Sequence, residues 1–331
     1  MKKQLGQYYT TYIHKILNNI ILPNNISIIL EPFAGKGNIV EFIGPKYQWE
    51  TYDIDVKYKG VIHRNTLLEP PNYHNKYVIT NPPYLSKNHS SDKSLFEKYK
   101  VDDLYKIFMY QLIENPPTGG IVILPLNFLS SYRKTDTELR TKFINTFNID
   151  VLNVWENDMF KDTSCIVFVM QFSYPKTHNN YKCTFLPMKR VMEGTFTEEN
   201  YMSVGGEINY LINNSFKNND LQISRKKNNY KLNIYTHCID TGKMNGRIRY
   251  IYSDKDISYN SRCETNLYSN KEVKNQKELV EILNQKLNFY RIKTNSMFLS
   301  SFYNIKEYPR KRMSFSMACK FARYIILLNL S

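Results

Sequence analysis

A chain of 331 residues with 42% hydrophobic content can bury one large core or two smaller ones. The apolar run at 324–328 is far too short to cross a bilayer, and the start, Met1-Lys2-Lys3-Gln4-Leu5, lacks the apolar stretch of a secretory signal, so no membrane partner and a cytoplasmic location (a host cell's, if the source is viral) are expected. The five cysteines are scattered and form no C-x-x-C pair, which argues against both a disulfide framework and a metal site.

The net charge of +15 is unevenly spread. Residues 1–175 hold 19 Lys+Arg against 17 Asp+Glu, whereas residues 176–331 hold 26 against 13. A basic part beside a near-neutral part suggests a polyanion-binding module joined to a chemical one, although a merely Lys-rich surface would count the same.

In chain order, the first half alternates apolar strands with amphipathic stretches, the pattern of a parallel sheet wrapped by helices. A short strand is expected at 26–30, and Glu31-Pro32-Phe33-Ala34-Gly35-Lys36-Gly37 follows it. A helix over 39–43 comes next. A second strand at 49–52 ends on Asp53-Ile54-Asp55, and a third at 60–63 on Arg64-Asn65-Thr66. The fourth strand, 77–80, runs directly into Asn81-Pro82-Pro83-Tyr84. A helix at 104–114 leads to a fifth strand at 120–125, then to a strand at 151–154 and its hairpin partner at 165–172. The polar segment Tyr174-Pro175-Lys176-Thr177-His178 is the expected domain boundary, dividing the chain into 1–174 and 175–331. Beyond it the spacing predicts amphipathic helices over 277–288 and 314–328.

The Asn81–Tyr84 turn carries the most chemistry. An Asn side-chain carbonyl and the backbone carbonyl of Pro82, held at the end of a buried strand, suit the two hydrogens of a planar amino group. Pulling those hydrogens out of plane favours the pyramidal nitrogen that attack on a methyl group requires. Tyr84 would offer a flat face to the ring bearing that group. Taken alone, the tetrapeptide is equally an ordinary Pro-Pro turn. The Gly35-x-Gly37 turn brings backbone close to a ligand at the sheet's carboxyl edge. Asp53 is placed to accept from both hydroxyls of a ribose, its alternative being a helix cap. Ile54 can cover an adenine face, and Asn65 can address the adenine edge.

Together these motifs resemble the DNA adenine-N6 methyltransferases, in the class with cofactor motifs first and target recognition C-terminal, as found in restriction-modification systems. The resemblance covers about residues 1–172. Its carriers are Gln4-Leu5-Gly6-Gln7-Tyr8-Tyr9-Thr10, the Glu31–Gly37 turn, Asp53-Ile54, Asn81–Tyr84, Gly120–Leu129 and Met159-Phe160-Lys161 ahead of Cys165. It implies an α/β Rossmann-like sheet with helices on both faces that binds S-adenosylmethionine, followed by a smaller basic α+β domain for target recognition. It assigns the cofactor to Tyr8, Thr10, Glu31, Pro32, Phe33, Ala34, Gly35, Gly37, Asp53, Ile54, Asn65, Thr66 and Asn81. Asn65-Thr66 stands where the family usually has Asp followed by an aromatic or apolar residue, a departure that keeps an acceptor oxygen and loses a charge. Catalysis falls to Asn81, Pro82, Pro83 and Tyr84, with Tyr84 and Phe160 stacking on an adenine flipped out of duplex DNA. Without the other motifs, Phe160 would read as an ordinary core residue.

No metal and no catalytic His are expected. The basic clusters Arg225-Lys226-Lys227, Arg247 with Arg249, and Arg310-Lys311-Arg312 are expected to meet DNA phosphates. The resemblance also allows a cognate restriction endonuclease, acting separately, as a partner. RNA base methylation or protein-glutamine methylation through the same Asn-Pro-Pro-Tyr clamp remain alternatives. The basic second half weighs against the protein substrate, and a non-catalytic relative of the fold is a remoter possibility.

Overall fold

A computed structural model describes residues 12–17, 20–156, 165–240, 247–255, 262–299, 301–305 and 308–330. The chain divides into two compact units, the first comprising Met1–Phe128 and Arg133–Phe196, the second Leu129–Tyr132 and Thr197–Ser331.

The first unit is built on a nine-stranded sheet. Its strands are β1 (Ile28–Glu31), β2 (Gln48–Asp53), β3 (Ile62–His63), β4 (Tyr77–Thr80), β5 (Gly119–Pro125), β6 (Asn148–Trp155), β7 (Val167–Ser173), β8 (Asn180–Leu186) and β9 (Arg190–Thr195). They lie in the order β3-β2-β1-β4-β5-β7-β6-β8-β9. The pairings from β3 through to β5 are all parallel, β7 runs antiparallel to both β5 and β6, and β8 rejoins in parallel to β6. Every residue of β4 and β5 is buried, as expected for apolar runs covered on both faces of a parallel sheet. The start of β5 tolerates no side chain: a Cβ on Gly119 would lie 2.6 Å from the Phe172 carbonyl oxygen, and one on Gly120 would lie 2.5 Å from that of Val78. Phe143, Phe147 and Phe172 pack ring against ring beside this strand.

From β1 the strand order runs outward in both directions, through β2 to β3 and through β4 to β5. The switch point therefore lies between β1 and β4, and a crevice opens beyond the carboxyl ends of these strands. Glu31 ends β1, Asp53 ends β2, and Asn81 follows β4 immediately.

The expected boundary at 174/175 is corrected by the structure. After the turn at Tyr174-Pro175 the chain returns to pair β8 with β6 and β9 with β8, so the first unit continues to Phe196. The polar turn resembles a linker because its backbone polar groups are met by the side chain of Asn148. The Asn148 Oδ1 accepts from the Thr177 and His178 backbone N–H, and its Nδ2 donates to the Pro175 carbonyl. With the boundary moved, residues 129–132 and 197–331 hold 22 Lys+Arg against 12 Asp+Glu. The excess positive charge still concentrates in the second unit, less steeply than a cut at 175 suggests.

The second unit is α+β. Its antiparallel sheet has the order β10-β13-β11-β12, with β10 Ile223–Ser224, β11 Tyr230–His237, β12 Arg249–Tyr252 and β13 Glu264–Ser269. The helix Gln276–Lys293 buries Leu279, Val280, Leu283 and Leu287. Its Asn284 side chain exchanges both hydrogen bonds with the backbone of Tyr250, at 2.9 and 2.8 Å, and so continues the strand's ladder into the helix. Arg291 at the far end of this helix pairs with buried Asp240 at 2.6 Å. A second long helix, Phe315–Leu330, completes the unit. Among the described residues no helix is long and apolar enough to cross a membrane.

Candidate active site

The crevice at the switch point is a cavity of about 260 Å³ within the first unit. Its lining includes Phe33, Gly35, Asp53, Ile54, Asn65, Thr66, Asn81 and Pro83, so residues from four separate sequence motifs meet in one place.

Local sequence explains the positions. Gly35 and Gly37 both take positive φ, at 54° and 76°, which an L side chain disfavours. A Cβ on Gly37 would also meet the ring of Tyr58 at 2.4 Å. The Gly35 N–H donates to Asp53 Oδ2 and the Asp55 N–H to Asp53 Oδ1, each at 2.7 Å. The carboxylate thus locks the glycine turn to the end of β2. Burial pushes the Asp53 pKa up, against these two backbone hydrogen bonds. Ile54 is 42% exposed, an apolar surface presented to the cavity.

Glu31, Pro32, Ala34 and Gly37 shape the turn without lining the cavity. Pro32 accepts from Thr66 Oγ1 at 2.9 Å, tying the first motif to the third. Glu31 is fully buried, and its Oε2 has no hydrogen-bond partner. Burial and the neighbouring Asp53 carboxylate push its carboxyl well above the usual range, so it tends to keep its proton. Asn65 differs from the expectation in detail. Its Oδ1 is turned back to the Leu67 and Leu68 N–H groups at 3.2 and 3.4 Å, capping the turn that follows β3. An Asn at a turn start competes for local backbone in this way, so its oxygen does not face a ligand.

Tyr84 is also placed differently from a stacking platform. It is 8% exposed, its hydroxyl lies 2.5 Å from Asn81 Oδ1 and 2.6 Å from the Ile123 carbonyl oxygen, and its ring meets that of Tyr105 edge-on. The side chain is drawn inward because the β5 backbone offers it an acceptor. Neither Tyr84 nor Pro82 lines the cavity. Tyr8, Thr10 and Phe160 lie outside the described residues.

Several cavity residues carry no motif and escaped the sequence reading: Arg64, Leu68, Leu85, the segment Ser90–Asp92, Leu95, Phe96 and Leu104. The only available signal was the helix expected over 104–114, whose first residue is Leu104. The Leu85 N–H donates to Asp103 Oδ1 at 3.1 Å and the Leu104 N–H to the Leu85 carbonyl at 3.1 Å, which fastens the end of the turn to the start of the helix Leu104–Glu114. Burial pushes Asp103 up to about 7 against the pull of Lys106.

In the second unit, Arg225, Lys226, Lys227, Arg247, Arg249 and Arg312 are exposed and Arg310 is half-buried. Lys311 is only 4% exposed, so it contributes to packing and cannot reach a phosphate in this arrangement. It points inward because neighbours on a strand alternate between faces.

Residues 44–160 match the Eco57I restriction-modification methylase family. The match runs from just before β2 to beyond β6 and contains the Asn81–Tyr84 turn. It bears out the resemblance to restriction-modification methyltransferases over this stretch. No curated protein matches the chain. Among solved structures, the methyltransferase subunit of a type I restriction-modification system from Streptococcus thermophilus is 15% identical, with 54% of this chain and 47% of that one covered at a TM-score of 0.41. The M protein of the type I restriction enzyme EcoKI is 16% identical, covering 55% and 48% at 0.38. The type IIG restriction endonuclease BpuSI is 12% identical, covering 61% and 33% at 0.43. The chain thus spans half or less of the length of these three structures.

Proposed function

We propose that the protein is an S-adenosylmethionine-dependent DNA methyltransferase that modifies the N6 amino group of an adenine flipped out of the duplex. The observation that carries this reading is the position of the Asn81-Pro82-Pro83-Tyr84 turn at the carboxyl end of β4, with Asn81 and Pro83 on the wall of the switch-point cavity. Bound S-adenosylmethionine would supply an electrophilic sulfonium methyl group. The residues around the cavity suit its adenosine part: Asp53 for the ribose hydroxyls, Ile54 and Phe33 as apolar cover for the base, and the Gly35–Gly37 turn for close backbone approach.

Asn81 Oδ1 and the Pro82 carbonyl would accept the two amino hydrogens of the target adenine and orient its nitrogen. Tyr84 must give up its bond to Asn81 and turn outward to stack on the base, with Phe160 as the opposing face. The exposed basic residues of the second unit, Lys311 excepted, would hold the DNA backbone and leave sequence reading to other contacts. Such basic surface supports a nucleic-acid substrate over a protein glutamine.

Incubation with labelled S-adenosylmethionine and duplex DNA, structured RNA or release-factor protein tests the reading. Label is expected in DNA, as N6-methyladenine after digestion. Label confined to RNA or protein overturns the substrate. Sequencing of modified bases in DNA from cells expressing the gene would give the target sequence.

A further inference from the structure

We propose that His237, Cys263 and Glu264 form a binding site for a zinc-type divalent metal ion in the second unit, separate from the switch-point cavity. His237 ends β11 and Glu264 begins β13, and the two are direct cross-strand partners. Cys263 precedes Glu264, and its carbonyl accepts from the Cys238 N–H at 2.7 Å, which holds the strand ends together. One ligand atom from each of the three side chains lies within 4.8 Å of the others, and all three residues are half-buried.

The histidine gives the decisive detail. Its Nδ1 lies 2.8 Å from Glu264 Oε1, while its Nε2 is buried and has no hydrogen-bond partner. With Nδ1–H donating to the carboxylate, Nε2 presents a lone pair that nothing satisfies. As an imidazolium it would present an N–H with no acceptor. Either protonation state leaves a buried polar atom unmet, which native structures avoid unless an ion or water completes the site.

A metal-bound histidine commonly donates its other ring nitrogen to a carboxylate, which fixes the tautomer and aims the lone pair. Cys263 is reduced and carries no disulfide. A thiolate and an imidazole select zinc over calcium or magnesium. Thiolate and carboxylate together would balance a divalent charge amid the arginines nearby, where Arg249 pairs with His237 across β12 and the Arg312 guanidinium donates to the Arg262 carbonyl. Cysteine spacing gives no hint of the site, because its ligands meet through strand register.

Cobalt titration of the full chain, first stripped by a chelator, tests the proposal. One Co²⁺ per chain is expected, with a thiolate-to-cobalt charge-transfer absorption that zinc abolishes. Cys263→Ser should remove the band with an unchanged far-ultraviolet circular dichroism spectrum. Cys165→Ser, in the first unit, should keep it. Glu264→Gln should weaken binding by roughly 10–100-fold, as for other partners of metal-bound histidines. No thiolate band, or a band that survives Cys263→Ser, overturns the site. Should Cys263→Ser fail to fold, alkylation of the wild-type protein decides. Zinc should then protect Cys263 and leave Cys165 reactive, and equal labelling of Cys263 with and without zinc overturns the proposal.

Discussion

The two units solve different problems with different materials. In the first, chemistry-bearing side chains are few, buried and interlocked: Asp53 holds the glycine turn, Thr66 holds Pro32, and Asp103 holds the end of the Asn81–Tyr84 turn. In the second, an antiparallel sheet and two long helices carry basic residues most of which are exposed. Site geometry needs side chains fixed to a fraction of an ångström, so it is built where burial removes freedom. Attraction of a polyanion needs charge within about a Debye length, so solvated surface suffices.

The largest expected effect separates the two directly. Asn81→Ala should lower methyl transfer by ~100–1000-fold, the scale of losing one preorganised polar group, with cofactor and DNA affinity largely kept. Single-turnover kinetics beside calorimetric binding checks this, and a normal transfer rate would break the division of labour. Next comes the joint replacement of Arg225, Lys226, Lys227, Arg247 and Arg249 by Ala. DNA affinity should fall roughly 100-fold, and the slope of log affinity against log salt should shrink by about one unit for each phosphate deprived of its cation. Lys311→Ala should leave that slope unchanged and lower the melting temperature, because Lys311 is buried.

A smaller effect concerns pH. The folded Asp103 sits at about 7, well above the ~3.9 of an unfolded aspartate, so between these values the native state binds more protons. Its contribution to stability is fully present below about pH 4 and is lost as pH rises through 7. Asp103→Asn should therefore flatten the fall in melting temperature between pH 5 and 8, measured by thermal unfolding across that range. The smallest effect is Tyr84→Phe, which removes the hydroxyl shared by Asn81 and Ile123. It should cost about 1 kcal/mol of stability, read from denaturant unfolding, and leave the transfer rate at saturating DNA near that of the wild type.

Much of the first unit was legible because its strands are short apolar runs punctuated by glycine, acidic residues or proline. The expected helix over 104–114 and strand over 77–80 coincide with the observed Leu104–Glu114 and Tyr77–Thr80. What sequence pattern missed depends on partners far away in the chain. The inward turn of Tyr84 needs the Ile123 carbonyl, and the continuation of the sheet past Pro175 needs β6 as a parallel neighbour. The use of Asn65 as a turn cap has the opposite origin, since its oxygen is taken by the N–H groups of Leu67 and Leu68 immediately after it in the chain. In the second unit the helix at 277–288 announced itself by periodicity, whereas its four-stranded sheet did not, because the positions that alternate inward include polar residues such as Thr236, Thr265 and Ser269.

The Tyr84 hydroxyl acts as a place-holder. On the proposed reading, it stands 2.5 Å from the oxygen that an incoming amino group would use and shares its hydrogen between that oxygen and the Ile123 carbonyl. An arriving purine would then exchange one hydrogen-bond partner of Asn81 for another of the same kind.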